Sequence, residues 1–514
     1  MLSKNTHKSL GEVVAYCLKP ESRQLRILFI IYAIAHLWIL FLYDSIFWDD
    51  WTLAGTSSDV IIEKFRMAGL PFSWPGHLHV MLSYLPRIVY RILTFTSYFL
   101  AGYFLLKTIS NTDEKIRGYI FPIVLLFLIA PFNSARIAAI NLPYALCYLA
   151  FFAAWSQMGR RPLASIVLFI FSFNTASLLV FYAVPFIEYS IRNNGFQFFT
   201  KKEFYIKNWV LILLPPAFWL IKTSIFPAYG LYTGYNQGFS ASNIPYALGL
   251  QIKDIVSLIS AWRWWMLLLV GLLSFISFKL IDRNSLLTEP ASKSNNFILI
   301  ILGLSVLALA EFPYLILGYP PRFFSWDSRH QLLMPLGFSM FTVGVAFFLS
   351  ASLRKAFLSI IIGLSLTFWL LQYKAYYIDW MKQKEIMRVI SDNDEIRAGR
   401  LIVFEDHTGI PNANGRSIVH YEWNGMLANL YGNERRFGID QVQWTNSICM
   451  RNDPKFSPHY RSSEVGGNTE GAIVLVKLLR QASTSKIDKA LSSFRPNLYI
   501  LVEPHQKYCD NLPR

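Results

Sequence analysis

Residues 25–51 read LRILFIIYAIAHLWILFLYDSIFWDDW, and this stretch decides the fold class. From Leu25 to Tyr43 the run is apolar apart from Arg26 and His36. At 1.5 Å per residue it is long enough for a hydrocarbon core of about 30 Å. It is too long for a signal-peptide core, and no small-residue cleavage site follows it. It therefore reads as a first, uncleaved membrane-spanning helix. The polar stretch 1–24 before it carries Lys4, Lys8, Lys19 and Arg23. A basic flank of this kind stays in the cytoplasm.

Composition agrees with that reading. The chain has 514 residues, of which 54% are hydrophobic and only 16% charged, against about 25% charged in soluble domains. A disordered chain, a collagen-like fibre and an ordinary cytosolic enzyme are excluded. Lys and Arg number 48 against 32 Asp and Glu, a net charge of +16. In a membrane protein such a surplus points to cytoplasmic loops and lipid phosphates. Nucleic acid is not the expected partner, because no basic stripe sits on a water-soluble domain.

Further apolar blocks follow at 86–107, 118–131, 141–157, 163–190, 207–226, 261–281, 296–318, 331–350 and 356–374. The block at 163–190 is long for one span and has Phe173, Asn174 and Thr175 in its middle. Arg160 and Arg161 precede it, and Arg192, Lys201 and Lys202 follow. Both flanks read as cytoplasmic, so the block enters and returns, as two short helices or as a re-entrant hairpin. Lys107, Lys115, Arg117, Lys279, Arg283, Arg354 and Lys355 then also fall inside. The pattern predicts about 11 crossings, with the N-terminus in and the C-terminus out. A transmembrane module over 25–379 results, with a first outer loop at 44–85 and further outer segments at 132–140, 227–260 and 319–330.

The tail, 380–514, changes character. Residues 380–399 read as a polar helix, and strand-length apolar runs follow at 400–404, 472–477 and 498–502. Ile487 to Phe494 reads as helical, and Gly and Asn cluster at 409–415 and 465–471. Alternating strands and helices predict a small α/β domain on the outer side. The tail contains no Gly-rich phosphate loop, HExxH or CxxC. Cys17 is expected in the cytoplasm and Cys147 within the membrane. Cys449 and Cys509 both lie in the outer tail, where a disulfide is permitted; spacing alone does not say whether they pair.

Ionisable groups near lipid are costly and mark functional candidates, and three clusters fall on the predicted outer side. The first is Trp48-Asp49-Asp50-Trp51, two carboxylates between tryptophans; a plain aromatic belt with a helix cap is the competing reading. The second is His77 and His79 followed by Arg87 and Arg91, which are four apart and share a helix face at phosphate depth. These arginines hold a lipid phosphate or snorkel to bulk headgroups; the histidines read as structural or loop residues. The third is the 320–330 loop with Arg322, Trp326, Asp327, Arg329 and His330. Arg136 adds another outer cation, and Glu311 is a carboxylate inside an apolar run. Such a set suits a phosphate at the membrane surface with a sugar above it. A carboxylate takes a proton from an acceptor hydroxyl, and arginines stabilise a departing phosphate.

The pattern resembles the GT-C superfamily of integral-membrane glycosyltransferases. Asp49-Asp50 stands where that family keeps its catalytic carboxylate, in the first outer loop. Residues 86–93 leading to 100–107 resemble its second helix, and 130–136 through Pro143-Tyr144 its second outer loop and fourth helix. Ser328 to Gly337 is similar to an Arg-Tyr-x-x-x-x-Pro-Leu-Gly-like helix start seen in such enzymes. Asn133 stands where many members carry an acid, and His330 where Tyr is frequent. The resemblance implies an inverting glycosyltransferase in a bacterial inner membrane. Its donor would be a sugar on undecaprenyl or another polyprenyl phosphate, and its acceptor an outer-side glycan or lipid. Asp49 or Asp50, with Asp50 preferred, would be the general base. Arg87, Arg91, Arg136, Arg322, Arg329 and His330 would hold the phosphate. Trp48, Trp51, His77, Glu311, Trp326 and Asp327 would contact sugar or acceptor. The cofactor is either none or a divalent cation. Two other readings share these lipids: an O-antigen polymerase or ligase using diphosphate-linked glycans, and a lipid-linked sugar flippase or transporter. The latter usually shows internal repeats, and none is visible here.

Overall fold

The structure is a computed structural model describing residues 20–110, 117–195, 200, 202–234, 240, 242–260, 263–283, 293–399, 401–432, 436–442, 473–481, 494 and 496–504. Cys17, Cys449, Cys509 and the helical reading at 487–493 lie outside the described residues.

Each apolar block becomes helix. Among the described residues seven helices are long and apolar enough to cross a membrane: Arg23–Leu42, Ile88–Ile109, Ala139–Gln157, Lys202–Ile225, Trp264–Arg283, Ser294–Leu315 and Ala351–Ser391. The chain is thus a multi-pass membrane protein in its architecture. Exposed Trp209, Leu213, Leu268, Phe275 and Ile298 are the large apolar side chains that a lipid surface accepts and water does not.

Against the expected 11 or so crossings, these seven are the long apolar helices among the described residues. Among the described residues three further apolar helices are short, Gly118–Ile129, Pro162–Ser172 and Met334–Ala346. At 10–14 residues an apolar helix is more often a buried or re-entrant piece than a span. The first of these is a core helix: Phe121, Val124, Leu125, Leu126 and Ile129 are all buried. The 163–190 block breaks into Pro162–Ser172, Ala176–Phe181 and Ala183–Asn194, in line with the expected interruption at Asn174-Thr175. Met334–Ala346 packs closely on Lys293–Leu315 through facing glycines. A Cβ on Gly303 would stand 2.4 Å from the Phe341 nitrogen, and one on Gly337 2.5 Å from the Leu307 nitrogen. Small residues permit such close approach between membrane helices.

The last helix differs most from expectation. Residues 356–374 and the polar stretch after them form one 41-residue helix, Ala351–Ser391. At 1.5 Å per residue it runs about 60 Å, twice a hydrocarbon core. Its second half projects from the helical bundle and becomes the spine of the C-terminal domain. Hydropathy falls there while helix-forming Lys, Gln, Glu and Met continue.

The predicted strands form as β1 (Leu401–Asp406), β3 (Ile473–Arg480) and β4 (Leu498–Pro504), and β2 (Phe437–Asp440) is added. The sheet order is β2-β1-β3-β4, with β1 parallel to β2 and β3, and β4 antiparallel to β3. Strand periodicity sorts the side chains. Ile402, Phe404, Val474 and Val476 join the core shared with the projecting helix and the membrane helices. Leu401, Val403, Phe437, Ile439 and Leu475 fill the opposite face. The α/β reading of the tail is therefore correct, and the domain is packed onto the bundle through a continuous core.

Candidate functional site

Four chain segments meet at one end of the bundle. They are the Trp48–Thr52 turn, the 133–141 loop, the 323–331 loop, and the C-terminal domain on its projecting helix.

The Trp48–Thr52 turn is tied from three sides. Trp48 takes a left-handed conformation, φ 49°, which costs a non-glycine residue about 1–3 kcal/mol and persists only where the surroundings enforce it. Its N–H donates to Glu422 Oε1 at 3.1 Å. Its ring lies 5.2 Å from Trp326, 5.6 Å from Tyr376 and 5.4 Å from the Arg416 guanidinium. Trp51 is buried and its Nε1 donates to Gln383 Oε1 at 3.0 Å. The helix His420–Tyr431 lies directly on this turn, because Gly425 has no Cβ; one would stand 2.6 Å from the Trp51 carbonyl.

The twin aspartates have different fates. Asp50 is buried and accepts three backbone N–H groups: Phe47 at 3.3 Å, Ala139 at 2.9 Å and Ile140 at 2.7 Å. It clamps the first loop to the 133–141 loop. Burial pushes its carboxyl up to about 6, while the Arg91 charge and the three N–H groups pull it back down. Asp49 is only half-buried. The Tyr421 hydroxyl donates to it; burial, Asp49 and Glu422 hold that phenol above its usual range. Of the two, Asp50 is the buried, backbone-bonded carboxylate and Asp49 the less buried one. The strained turn at Trp48 sends Asp50 inward and leaves Asp49 half-buried against Tyr421 of the C-terminal domain.

The cations also divide. Arg91 is buried, donating to the carbonyls of Leu42, Ile137 and Ser45 and to the Ser45 hydroxyl. It braces the loop and has no face toward a lipid phosphate. Arg87 is exposed at the start of the Ile88–Ile109 helix, with one contact to the Asp44 carbonyl at 3.3 Å. Arg136 is buried between the rings of Tyr98 and Trp369, 4.4 and 4.3 Å from their centroids, and donates to the carbonyls of Phe132 and Asn133. Arg322 is engaged by Asp254 through two contacts of 2.8 and 3.1 Å. Arg329 lies over Trp326 at 4.5 Å, and its Nη1 is buried without an acceptor among the described residues. His330 is buried against Tyr314, ring centroids 4.5 Å apart. Burial, then Arg329, lowers its pKa well below the usual value.

Of the remaining candidates, Trp326 and Asp327 belong to the site. Trp326 bridges Trp48 and Arg329, and burial raises the Asp327 carboxyl. His77 is exposed on the helix Trp74–Ser83, away from these contacts. His79 is stacked between Phe65 and Tyr90, and burial holds it down at about 4. Glu311 bonds Gln251 at 3.2 Å. Among the described residues no group of three or more His, Cys, Asp or Glu is placed to hold a metal ion.

The 133–141 loop is fixed to the 323–331 loop by short polar contacts. Asn133, also left-handed at φ 60°, donates its N–H to Gln331 at 3.0 Å. Ala135 N–H and the Ser134 hydroxyl both reach the Ser328 hydroxyl, at 2.9 and 3.0 Å. Asn tolerates this conformation better than most residues, so the departure at Asn133 has a backbone role.

Sequence reasoning missed the buried ion pairs that hold the C-terminal domain to the site. Arg416 contacts Asp379 at 3.0 Å and Glu422 at 2.6 Å, with side-chain exposures of 8%, 0% and 0%. Burial alone would lower the Arg416 pKa, and the two carboxylates overturn that and raise it. Lys382 is fully buried and donates to Asp406, to the Ile410 carbonyl at 2.7 Å and to Asn412 at 3.0 Å. Asp254 lies on a helix, Asn243–Ser260, inside a predicted outer loop. The sequence signal there is a Lys253-Asp254 pair in an otherwise mostly apolar stretch.

No protein-family model matches the chain, and neither a curated protein nor a solved structure does.

Proposed function

We propose that the chain is an inverting glycosyltransferase of a bacterial inner membrane, working at the periplasmic surface. It moves a sugar from undecaprenyl or another polyprenyl phosphate to a glycan or lipid acceptor. The observation that carries the reading is the contact between Trp48 and Trp326. It sets the Asp49 turn beside Arg329, whose buried Nη1–H lacks an acceptor among the described residues.

Asp49 takes the proton of an acceptor hydroxyl. The oxygen attacks the anomeric carbon from the face opposite the phosphate. The bond from that carbon to the phosphate oxygen breaks, and the electron pair leaves on polyprenyl phosphate. Arg329 and the exposed Arg87 neutralise charge growing on the phosphate. The half-buried Trp326 offers a flat apolar face to the sugar. Asp50, Arg91 and Arg136 hold the loops that carry these groups.

The test uses purified protein in nanodiscs, given the same sugar on undecaprenyl monophosphate and on undecaprenyl diphosphate. Consumption of the monophosphate with inverted product configuration supports the proposal. Consumption of the diphosphate alone would replace it with a polymerase or ligase. Movement of either lipid across vesicles without product would replace it with a flippase.

A further inference from the structure

The helix Asn243–Ser260 starts and stops at the same end of the bundle. The helix before it, Lys202–Ile225, ends there: Phe226 meets Phe72 of the first loop, and the Tyr229 N–H donates to the Met67 carbonyl at 2.9 Å. The helix after it, Trp264–Arg283, begins there. It runs antiparallel to Ala351–Ser391, with Trp265 beside Lys374 toward the C-terminal domain and Asp282 paired with Lys355 at the far end. Eighteen residues of helix reach about 27 Å. They cannot cross a hydrocarbon core of about 30 Å and return, so this helix lies at the end of the bundle that carries the Trp48–Thr52 turn.

Helical spacing divides its residues among three strips. Asn243, Ala247, Gln251 and Asp254 face the protein. Ala247 is buried, Asn243 donates to the Ile316 carbonyl at 3.3 Å, and Gln251 donates to Glu311 at 3.2 Å. Asp254, also buried, accepts from Arg322 at 2.8 and 3.1 Å and from the Phe323 N–H at 3.3 Å. Leu248, Ile252, Ile255 and Val256 form the second strip and are between 41% and 63% exposed. Tyr246, Lys253, Ser257 and Ser260 form the third, exposed and polar.

Four apolar side chains side by side suit lipid and not water. An apolar strip beside a polar one is the pattern of a helix lying between headgroups and acyl chains. The neighbouring helices present the same kind of surface: Phe312 on Lys293–Leu315, and Leu267 and Leu268 on Trp264–Arg283, are all exposed. Lys253 stands on the strip that turns toward headgroup phosphates.

We infer that Asn243–Ser260 is an interfacial anchor, seated in the lipid leaflet on the side of the Trp48–Thr52 turn, and that through Asp254 it holds the 322–329 loop at that boundary. The occupant of the apolar strip is lipid acyl chain. The inference does not rest on the transfer reaction.

The experiment uses full-length protein in nanodiscs containing phosphatidylcholine with a diazirine on its acyl chain. After irradiation, labelled residues are mapped by mass spectrometry. Leu248, Ile252, Ile255 and Val256 should label within about threefold of the lipid-facing residues between Trp209 and Leu220. The exposed Tyr499 and Leu501 of β4 serve as the water-facing reference. In unlabelled nanodiscs, hydrogen–deuterium exchange of a peptide covering 320–331 should quicken about tenfold or more in Asp254→Asn and in the double variant Ile252→Ser, Val256→Ser, with β1 unchanged. Labelling of the strip no greater than that of Tyr499 and Leu501 would overturn the inference. So would wild-type exchange at 320–331 in both variants. A dimer in native mass spectrometry whose strip stays unlabelled would assign that face to a second copy of the chain and overturn it too. Neither measurement involves transfer, so failure here leaves the transfer proposal intact, and the reverse also holds.

Discussion

Replacing Arg416 by Ala leaves two carboxylates buried without their cation. Asp379 and Glu422 are both fully buried, and Arg416 is their shared partner, at 3.0 and 2.6 Å. Breaking a buried pair by removing one partner costs about 3–5 kcal/mol. The loss should be local. Glu422 also holds the N–H of Trp48 and of Val419, and Asp379 holds the N–H of Ala413. Opening of the interface between the C-terminal domain and the Trp48–Thr52 turn should therefore become about 10²-fold to more than 10³-fold more frequent, at 1.36 kcal/mol per factor of ten. Hydrogen–deuterium exchange of peptides covering 47–52 and 411–423 reads this directly. Neutralising the whole set, with Arg416→Met, Asp379→Asn and Glu422→Gln together, should recover much of the protection, because no isolated charge is then left buried. Wild-type protection in Arg416→Ala, or a triple variant less protected than the single one, would refute the reasoning.

Two further outcomes follow from the same contacts. Gly425→Ala pushes a Cβ against the Trp51 backbone and should destabilise by about 1–3 kcal/mol as overpacking, read as a lowered Tm in detergent; an unchanged Tm would contradict the close approach. Asp50, raised from 3.8 to about 6 when folded, binds its proton more tightly folded than unfolded. Its contribution to stability is therefore full below about 4 and is lost as pH rises through about 6, up to about 3 kcal/mol. The Tm of wild type minus that of Asp50→Asn should fall between pH 4 and 7 and then level off, and a difference that rises over that window would contradict the assignment.

What the sequence made legible was local. Hydropathy located the membrane helices within a few residues, as at 86–107 against Ile88–Ile109, because an apolar run long enough for lipid has few alternatives. Short apolar runs of strand length, rich in β-branched residues, located β1, β3 and β4. The length of the last helix was hidden because hydropathy stops where lipid stops, whereas helix propensity does not. The sequence assigned 48–51 and 320–330 to the same outer side, and the Trp48–Trp326 contact brings the two segments together. Which of Asp49 and Asp50 turns inward was not legible. It is set by a left-handed φ at Trp48, which the surrounding fold imposes and no local pattern announces. The pairs Arg416–Glu422, Arg416–Asp379 and Arg322–Asp254 join elements distant in sequence, or an element the sequence left as loop. A carboxylate does not reveal its long-range partner until the chain is folded.

The most direct measurement is sugar transfer from undecaprenyl monophosphate by Asp49→Asn protein, with folding matched to wild type by Tm and exchange protection. Loss of the general base should lower the rate by about 10²- to 10⁴-fold, with donor binding retained. Wild-type transfer by Asp49→Asn would contradict the account.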